Sequence, residues 1–216
     1  MHVSARQFFT AVVMAATLAA PRPALAGPPL LCHPFEIGGA SSLPWSGGTS
    51  WHDGRAGYRI ANLVRDTEAL LGTATPVIVR METLRRASIY ASHDPKVASA
   101  LLDRLTTRAR AGERPDALAL LDLAYVTEAL RQIAHIGGIP GHKAHVAEIH
   151  ALVRDRDGYK DMTASLAARP DDPALEFAAA LIASDKNRSA YQTHAQRARA
   201  GAGRDALLAR NLNHIS

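Results

Sequence analysis

Two pairs of adjacent residues near the start of the chain carry side chains that could do chemistry. Cys32 and His33 offer a thiolate and an imidazole, which are ligands for a soft metal ion. His52 could add a third ligand, with Asp53 orienting its ring. The thiol could instead act as a nucleophile, activated by either histidine. Because neither a recognised zinc spacing nor a CxxCH haem motif occurs, we favour packed, hydrogen-bonded side chains and predict no cofactor.

A second group of possible ligands lies in the middle of the chain and consists of His135, His142, His145, Glu148 and His150. His142, His145 and Glu148 recur at three-residue intervals, which places them along one side of a predicted helix. The HExxH arrangement of metalloproteases is absent. We therefore expect a solvated, titrating surface here, with a metal site as the alternative.

The glycine- and proline-rich stretch around the first two pairs cannot form a regular helix. Residues 32–54 contain seven glycines and prolines, both tryptophans of the chain and its only cysteine. Disordered segments are poor in aromatic residues, so Phe35, Trp45 and Trp51 indicate a segment that docks on the rest of the protein. We call residues 27–57 the strap and expect it to lie across one end, or a concave groove, of a helical body.

After the strap, apolar residues recur at helical spacing, and no segment alternates with the two-residue period of a strand. Helix starts are predicted at Thr75-Pro76, Asp94-Pro95 and Asp172-Pro173. The sequence therefore predicts an all-α fold, in which the most apolar helix, from Pro115 to about Ile136, lies in the middle. The break HIGGIPGH predicts a loop, or a hinge at residues 136–141.

The helix that begins near residue 76 carries four charged residues between its apolar positions, namely Arg80, Glu82, Arg85 and Arg86. Charged side chains are seldom fully buried, so we expect these four to face outward into solvent. Further along the chain, Asp157-Gly158 predicts a kink between two helical segments.

Residues 1–26 have the pattern of a cleaved secretory signal. Arg6 supplies the positive charge, Phe8–Ala20 the apolar run and Ala24-Leu25-Ala26 the cleavage motif. The apolar run is shorter than the roughly 20 residues that span a bilayer, so we predict a removed signal rather than an anchor. The sequence thus predicts a signal peptide, the strap and a helical-repeat domain at 58–216, in an exported protein of the periplasm or the medium.

One cysteine and a mild positive charge exclude several classes of protein. Cys32 alone cannot form an intrachain disulfide, and since Leu31 rather than a small residue precedes it, a lipoprotein is only a minor alternative. The formal charge of +5 falls by the two charges of Arg6 and Arg22 when the signal is removed. Because the remaining basic residues are interspersed with acids, we expect no nucleic-acid partner.

Residues 166–212 resemble the helix pairs of tetratricopeptide repeats. LAARPDDPALEFAAALI is similar to the end of one pair, its proline-containing turn and the first helix of the next, and YQTHAQRARAGAGRDALLARNL is similar to the second helix and the turn that follows. The resemblance implies stacked antiparallel helical hairpins, in the manner of an α-solenoid, and a groove for a protein or peptide. It implies no catalysis. Separately, the CHPFEIG…SLPW element resembles uncharacterised exported bacterial proteins.

These observations favour a non-enzymatic protein that binds or scaffolds a protein or peptide outside the cytoplasm. A ligand in such a groove would contact aromatic side chains, and the candidates are Tyr90, Tyr125, Tyr191, Trp45 and Trp51. The strap could either complete the groove or block it. The alternative is a thiol- or metal-dependent site, with enzymatic activity as one option, centred on the Cys32-His33 segment.

Overall fold

The computed structural model describes residues 27–48, 50–140 and 143–215, and in these ranges it is all-α, as predicted. The predicted signal peptide, Gly141 at the end of the predicted hinge and His142 lie outside the described residues. Within them, the chain forms nine α-helices, which are α1 (Leu63–Leu70), α2 (Val77–Ala91), α3 (Pro95–Ala109), α4 (Ala117–His135), α5 (Val146–Val153), α6 (Gly158–Ala168), α7 (Pro173–Ala183), α8 (Arg188–Gly201) and α9 (Ala206–Asn211).

Side chains that accept hydrogen bonds from backbone N–H groups begin most of the long helices. The predicted caps Asp94 and Asp172 are confirmed, because their carboxylates accept from the first turns of α3 and α7. The predicted cap Thr75 is wrong, since its hydroxyl donates to the Leu70 carbonyl at the end of α1, at 2.9 Å, and makes no cap bond to α2. The chain is interrupted between two helical segments near Asp157-Gly158, as predicted, and the Asp157 carboxylate caps α6.

Helix α4 packs against α2, α3, α5, α6 and α7, so it occupies the position predicted for the most apolar helix. Its residues Leu121, Ala124, Tyr125 and Leu130 are fully buried. The second apolar helix is α7, in which every residue after Pro173 is buried. No helix in the described ranges is long and apolar enough to cross a membrane.

The expectation that the charged residues of α2 face solvent is wrong. Arg80, Glu82 and Arg85 have exposures of 1%, 0% and 0%. Arg80 donates to both carboxylate oxygens of Asp122 on α4, at 2.9 and 2.6 Å. Burial of these charges is possible because each of them is paired and hydrogen-bonded, which offsets the loss of hydration.

The strap packs against this charged face of α2. Arg85 donates to the carbonyls of Leu31 and Trp51, at 3.1 and 2.8 Å, while Arg86 donates to that of Leu43 at 2.6 Å. Three strap leucines are fully buried, and they are Leu30, Leu31 and Leu43. The arginines of α2 therefore donate hydrogen bonds to carbonyl groups of an irregular segment that lacks the regular backbone hydrogen bonds of a helix or a sheet.

The beginning of the strap also contacts the last helices of the chain. Asn211 of α9 accepts the Glu36 N–H at 2.8 Å and donates to the Glu36 carbonyl at 2.9 Å. Phe35 is buried and stacks on His214, with ring centroids 4.8 Å apart. The strap is thus held between α2 and the end of the helical body.

Candidate functional site

Five of the residues predicted to serve a site come together where the strap crosses α2. The Trp45 ring meets that of Tyr90 edge-on at 5.6 Å, and an isolated antiparallel bridge joins Trp45 to Gly54. The Trp51 ring lies 5.1 Å from that of His52. His52 Nδ1 in turn lies 3.1 Å from a carboxylate oxygen of the exposed Asp53.

Tyr90 fixes the path of the strap through this region. Its hydroxyl accepts the Arg55 N–H at 2.8 Å and donates to the Pro44 carbonyl at 2.6 Å. Burial raises the pKa of Tyr90, so the neutral hydroxyl that donates this bond is favoured. A Cβ on Gly54 would lie 2.4 Å from the Tyr90 ring, so only glycine lets the strap pass so close.

Beside this crossing lies a cavity of about 550 Å³, which we call the strap cavity. One wall comes from the strap and the other from the turn between α2 and α3 together with Pro140. The polar residues that line it are His52, Asp53, Arg55, Tyr58, Tyr90, His93 and Asp94. The strap therefore completes a pocket with groups of both charge signs.

The predicted metal site is not assembled. In the described part of the chain, no three His, Cys, Asp or Glu side chains lie close enough to hold a metal ion. His33 lies near His214, with ring centroids 6.2 Å apart, whereas His52 and Asp53 line the strap cavity. Burial raises the pKa of the Cys32 thiol, which disfavours the thiolate that metal binding or nucleophilic attack requires.

The remaining predicted residues do not share a site. Tyr125 is fully buried and donates to the Leu30 carbonyl at 2.7 Å, so it supports the strap and has no surface for a ligand. Tyr191 is partly buried on α8. His145 Nδ1 lies 3.7 Å from the exposed Glu148, and no metal cluster includes either residue among those described.

Sequence reasoning missed a groove of about 620 Å³ between α6, α7 and α8. Along α8 and the turn after it, His194, Arg197, Gly201 and Arg204 all line this groove. Their spacing of i, i+3, i+7 and i+10 is that of one helix face, so the signal was present in the sequence. We call this cleft the α8 groove and its three basic residues the basic stripe.

A buried glutamate holds two members of the basic stripe in place. Glu176 of α7 lies at the floor of the groove, where His194 Nδ1 is 2.5 Å and Arg197 Nη1 is 3.1 Å from its two oxygens. The other ring nitrogen of His194 lies 3.1 Å from the Tyr159 hydroxyl. Burial, and then the charge of Glu176, raise the pKa of Tyr159, so this hydroxyl stays protonated.

The outer part of the basic stripe is open to solvent. The Arg197 side chain is 63% exposed, and Arg204 is exposed and makes no ion pair with any residue the structure describes. The opposite wall is contributed by α6 and the loop that follows, through Thr163, Leu166, Ala167, Pro170 and the exposed Asp171. The groove thus has one basic side and an opposite side that is apolar apart from Thr163 and the carboxylate of Asp171.

Comparison with known proteins does not assign this chain to a class. No protein-family model matches it, and neither curated proteins nor solved structures gave a significant match. Its function is therefore inferred from the all-α bundle, the strap cavity and the α8 groove.

Proposed function

We propose that this protein is exported and non-enzymatic, and that it binds an acidic segment of a protein or peptide in the α8 groove. The observation that carries this proposal is the basic stripe, which faces a wall with Leu166, Pro170 and one acid, Asp171, across a cleft of about 620 Å³. Export rests on the leader pattern of residues 1–26.

Arginine is suited to this role because its planar guanidinium can donate two parallel hydrogen bonds to one carboxylate. Arg204 has no carboxylate partner in the described chain, so its donors are free for a ligand. Arg197 uses one nitrogen for Glu176 and keeps its remaining donors toward solvent. The binding energy would come chiefly from these two guanidinium groups.

The spacing of the two arginines favours a chain with more than one acid. Seven residues separate Arg197 from Arg204, which corresponds to about 10 Å along a helix. Carboxylates four residues apart on an extended peptide lie on the same face and about 13 Å apart, a span that the long side chains of the two arginines can reach. Apolar side chains between the two acids would contact Leu166, Pro170 and Pro173.

The arrangement of helices around the groove supports a repeat-like design. Helices α6, α7 and α8 follow one another through four-residue connections at 169–172 and 184–187, and α7 packs against both neighbours. Short connections of this kind favour antiparallel neighbours. We accordingly propose that these helices are stacked hairpins of the tetratricopeptide type, as the resemblance of residues 166–212 implies.

A charge-reversal experiment tests the proposal. Fluorescence anisotropy would compare a labelled peptide with two glutamates four residues apart against the same peptide with glutamines. We expect Arg204→Glu to weaken binding of the acidic peptide by about tenfold or more, because attraction becomes repulsion. The matched control is Arg188→Glu, at an exposed arginine on α8 outside the groove.

Equal affinity for the glutamate and glutamine peptides would overturn the proposal. So would equal losses in the Arg204→Glu and Arg188→Glu variants, since that result would reflect the overall charge of the protein. Affinity should also fall as salt is raised, because the contacting groups are exposed and screened.

A further inference from the structure

We propose that the strap cavity is a second binding site, specific for a small zwitterion that carries one carboxylate and one ammonium group, such as a free amino acid or a dipeptide. The site lies on the α2 side of the strap and shares no lining residue with the α8 groove. The proposal therefore stands independently of peptide binding in that groove.

The cavity is built by specific close contacts rather than by a loose loop. Tyr90 holds the strap on both sides of the cavity wall through its bonds to Pro44 and Arg55, and Gly54 permits the approach. Asp94, on the opposite wall, caps α3 by accepting the Lys96 N–H at 2.9 Å. Both walls are therefore preorganised, which reduces the entropy lost on binding.

The strap wall provides a cation for the carboxylate of the ligand. Arg55 is exposed, lines the cavity and makes no ion pair with a described residue. Its backbone is fixed by the 2.8 Å bond from its N–H to the Tyr90 hydroxyl. A guanidinium held at its base in this way can bind a carboxylate through two hydrogen bonds.

Acidic groups at the same cavity complement the ammonium group. Asp53 lies at the strap wall, where one oxygen is 3.1 Å from His52 Nδ1. Asp94 uses one oxygen for its helix cap, and its other oxygen makes no hydrogen bond with any described residue. Anionic and cationic groups around one cavity select a ligand with both charges over a simple anion or cation.

Aromatic rings provide the remaining contact surface. The rings of Tyr58 and Tyr90 lie 4.6 Å apart, and both residues line the cavity. The Tyr58 hydroxyl donates to Asp66 at 3.0 Å, so its polar end is already satisfied. The ring faces, with Ile60 and Pro140, would contact the aliphatic part of the ligand, and an aromatic face also attracts an ammonium group.

The volume sets the size of the ligand. Small-molecule sites occupy roughly 300–1,000 Å³, and the strap cavity, at about 550 Å³, falls in the lower half of this range. A free amino acid with a long side chain or a dipeptide fits this space. A longer peptide would have to leave most of its length outside.

Calorimetric titration of the purified protein with a panel of free amino acids and dipeptides tests the assignment. We expect binding by at least one zwitterion, and loss of that binding when the same compound is N-acetylated or converted to its amide. Arg55→Ala should weaken binding by about tenfold or more, because the bidentate contact is removed. Arg59→Ala is the matched control, at an exposed arginine four residues further on that does not line the cavity.

Three outcomes would overturn the proposal. The first is the absence of binding by any zwitterion up to about 10 mM, a concentration that corresponds to very weak affinity. The second is equal binding of the blocked and unblocked compounds. The third is unchanged affinity in Arg55→Ala. Arg204→Glu, which disrupts the α8 groove, should leave zwitterion binding intact. The two sites can therefore fail separately.

Discussion

Glu82 shows how one buried carboxylate can join an irregular segment to a helix. It accepts hydrogen bonds from Arg85 at 2.7 and 2.9 Å, from Arg86 at 2.7 Å and from the Phe35 N–H at 3.0 Å. Burial by itself would raise the pKa of Glu82, but the hydrogen bonds and charges of the two arginines outweigh it and lower the pKa. The glutamate is thus ionised in the folded protein.

Replacing Glu82 by glutamine should destabilise the protein strongly, because Arg85 would be left buried without its counter-charge. Breaking a buried pair in this way lowers the free energy of unfolding by about 3–5 kcal/mol. Urea denaturation followed by circular dichroism would measure the loss. The control is Glu68→Gln, which removes a more exposed pair with Arg104 and should have a much smaller effect. Similar losses in the two variants would contradict this account.

His214 makes stability depend on pH. Burial, with a contribution from His33, lowers the pKa of His214 from 6.5 to about 4. The unfolded chain therefore takes up the proton first, and stability falls as pH decreases from about 6.5 to 4. Allowing for the part of the ring that remains in solvent, we expect about 1–2 kcal/mol of loss between pH 7 and pH 5 from this residue.

His214→Phe should remove this part of the pH dependence, since phenylalanine keeps the stack on Phe35 but cannot be protonated. Urea denaturation at pH 7 and pH 5 would measure the difference. The control His150→Gln, at an exposed histidine, should leave the difference in stability between pH 7 and pH 5 unchanged. If the free energy of unfolding of His214→Phe falls between pH 7 and pH 5 as much as that of the unchanged protein, another group causes the pH dependence.

At the scale of elements, the packing of α7 against α8 depends on the absence of a side chain at Gly201. A Cβ there would lie 2.4 Å from Cβ of Pro173 and 2.8 Å from its Cγ. Two residues further on, a Cβ at Gly203 would have no atom within 4 Å. The two glycines therefore form a matched pair for testing the contact between these helices.

Gly201→Ala should lower the free energy of unfolding by about 1–3 kcal/mol, as overpacking does in a buried contact. Gly203→Ala should be neutral or stabilise the fold by about 0.4–1 kcal/mol, because alanine restricts the unfolded chain. Thermal and urea denaturation of the two variants would measure both effects. Equal stability of the two would show that the contact between Gly201 and Pro173 relaxes freely.

Elements that depend on local chemistry could be predicted from the sequence, whereas those that depend on distant partners could not. The carboxylates of Asp94 and Asp172 accept hydrogen bonds from N–H groups only two residues further on, so the sequence was sufficient to predict these helix caps. Arg80 was assigned to the surface because its partner Asp122 is 42 residues further on. The α8 groove could not be predicted because it depends on where α6 lies relative to α8, although the spacing of the basic stripe is visible in the sequence.

At the scale of the whole molecule, the packing of the strap bears on which of the two predicted cleavage sites the fold can accommodate. Leu30 and Leu31 are fully buried, and the Leu30 N–H donates to Gln132 at 3.1 Å. Cleavage before Cys32, as in a lipoprotein, would remove these two core residues. Cleavage after Ala26 leaves them in place. Packing therefore favours the predicted cleavage site over the lipoprotein alternative.

On the proposal that the protein is exported, we predict that its mature chain begins at Gly27. Intact mass spectrometry and N-terminal sequencing after expression in a bacterium with a periplasm would establish this. The variant Ala26→Arg, which disrupts the small-residue motif, should retain the leader. A mature chain that begins at Cys32 and carries lipid would contradict the prediction and would require a core without Leu30 and Leu31.

The paired hydrogen bonds between Glu36 and Asn211 join positions 175 residues apart. A ribosome releases the first of these positions long before the second. The native docking of the strap can therefore be completed only when nearly all of the protein has been synthesised, and contacts of such long range close slowly. Until then the strap lacks its anchor on α9.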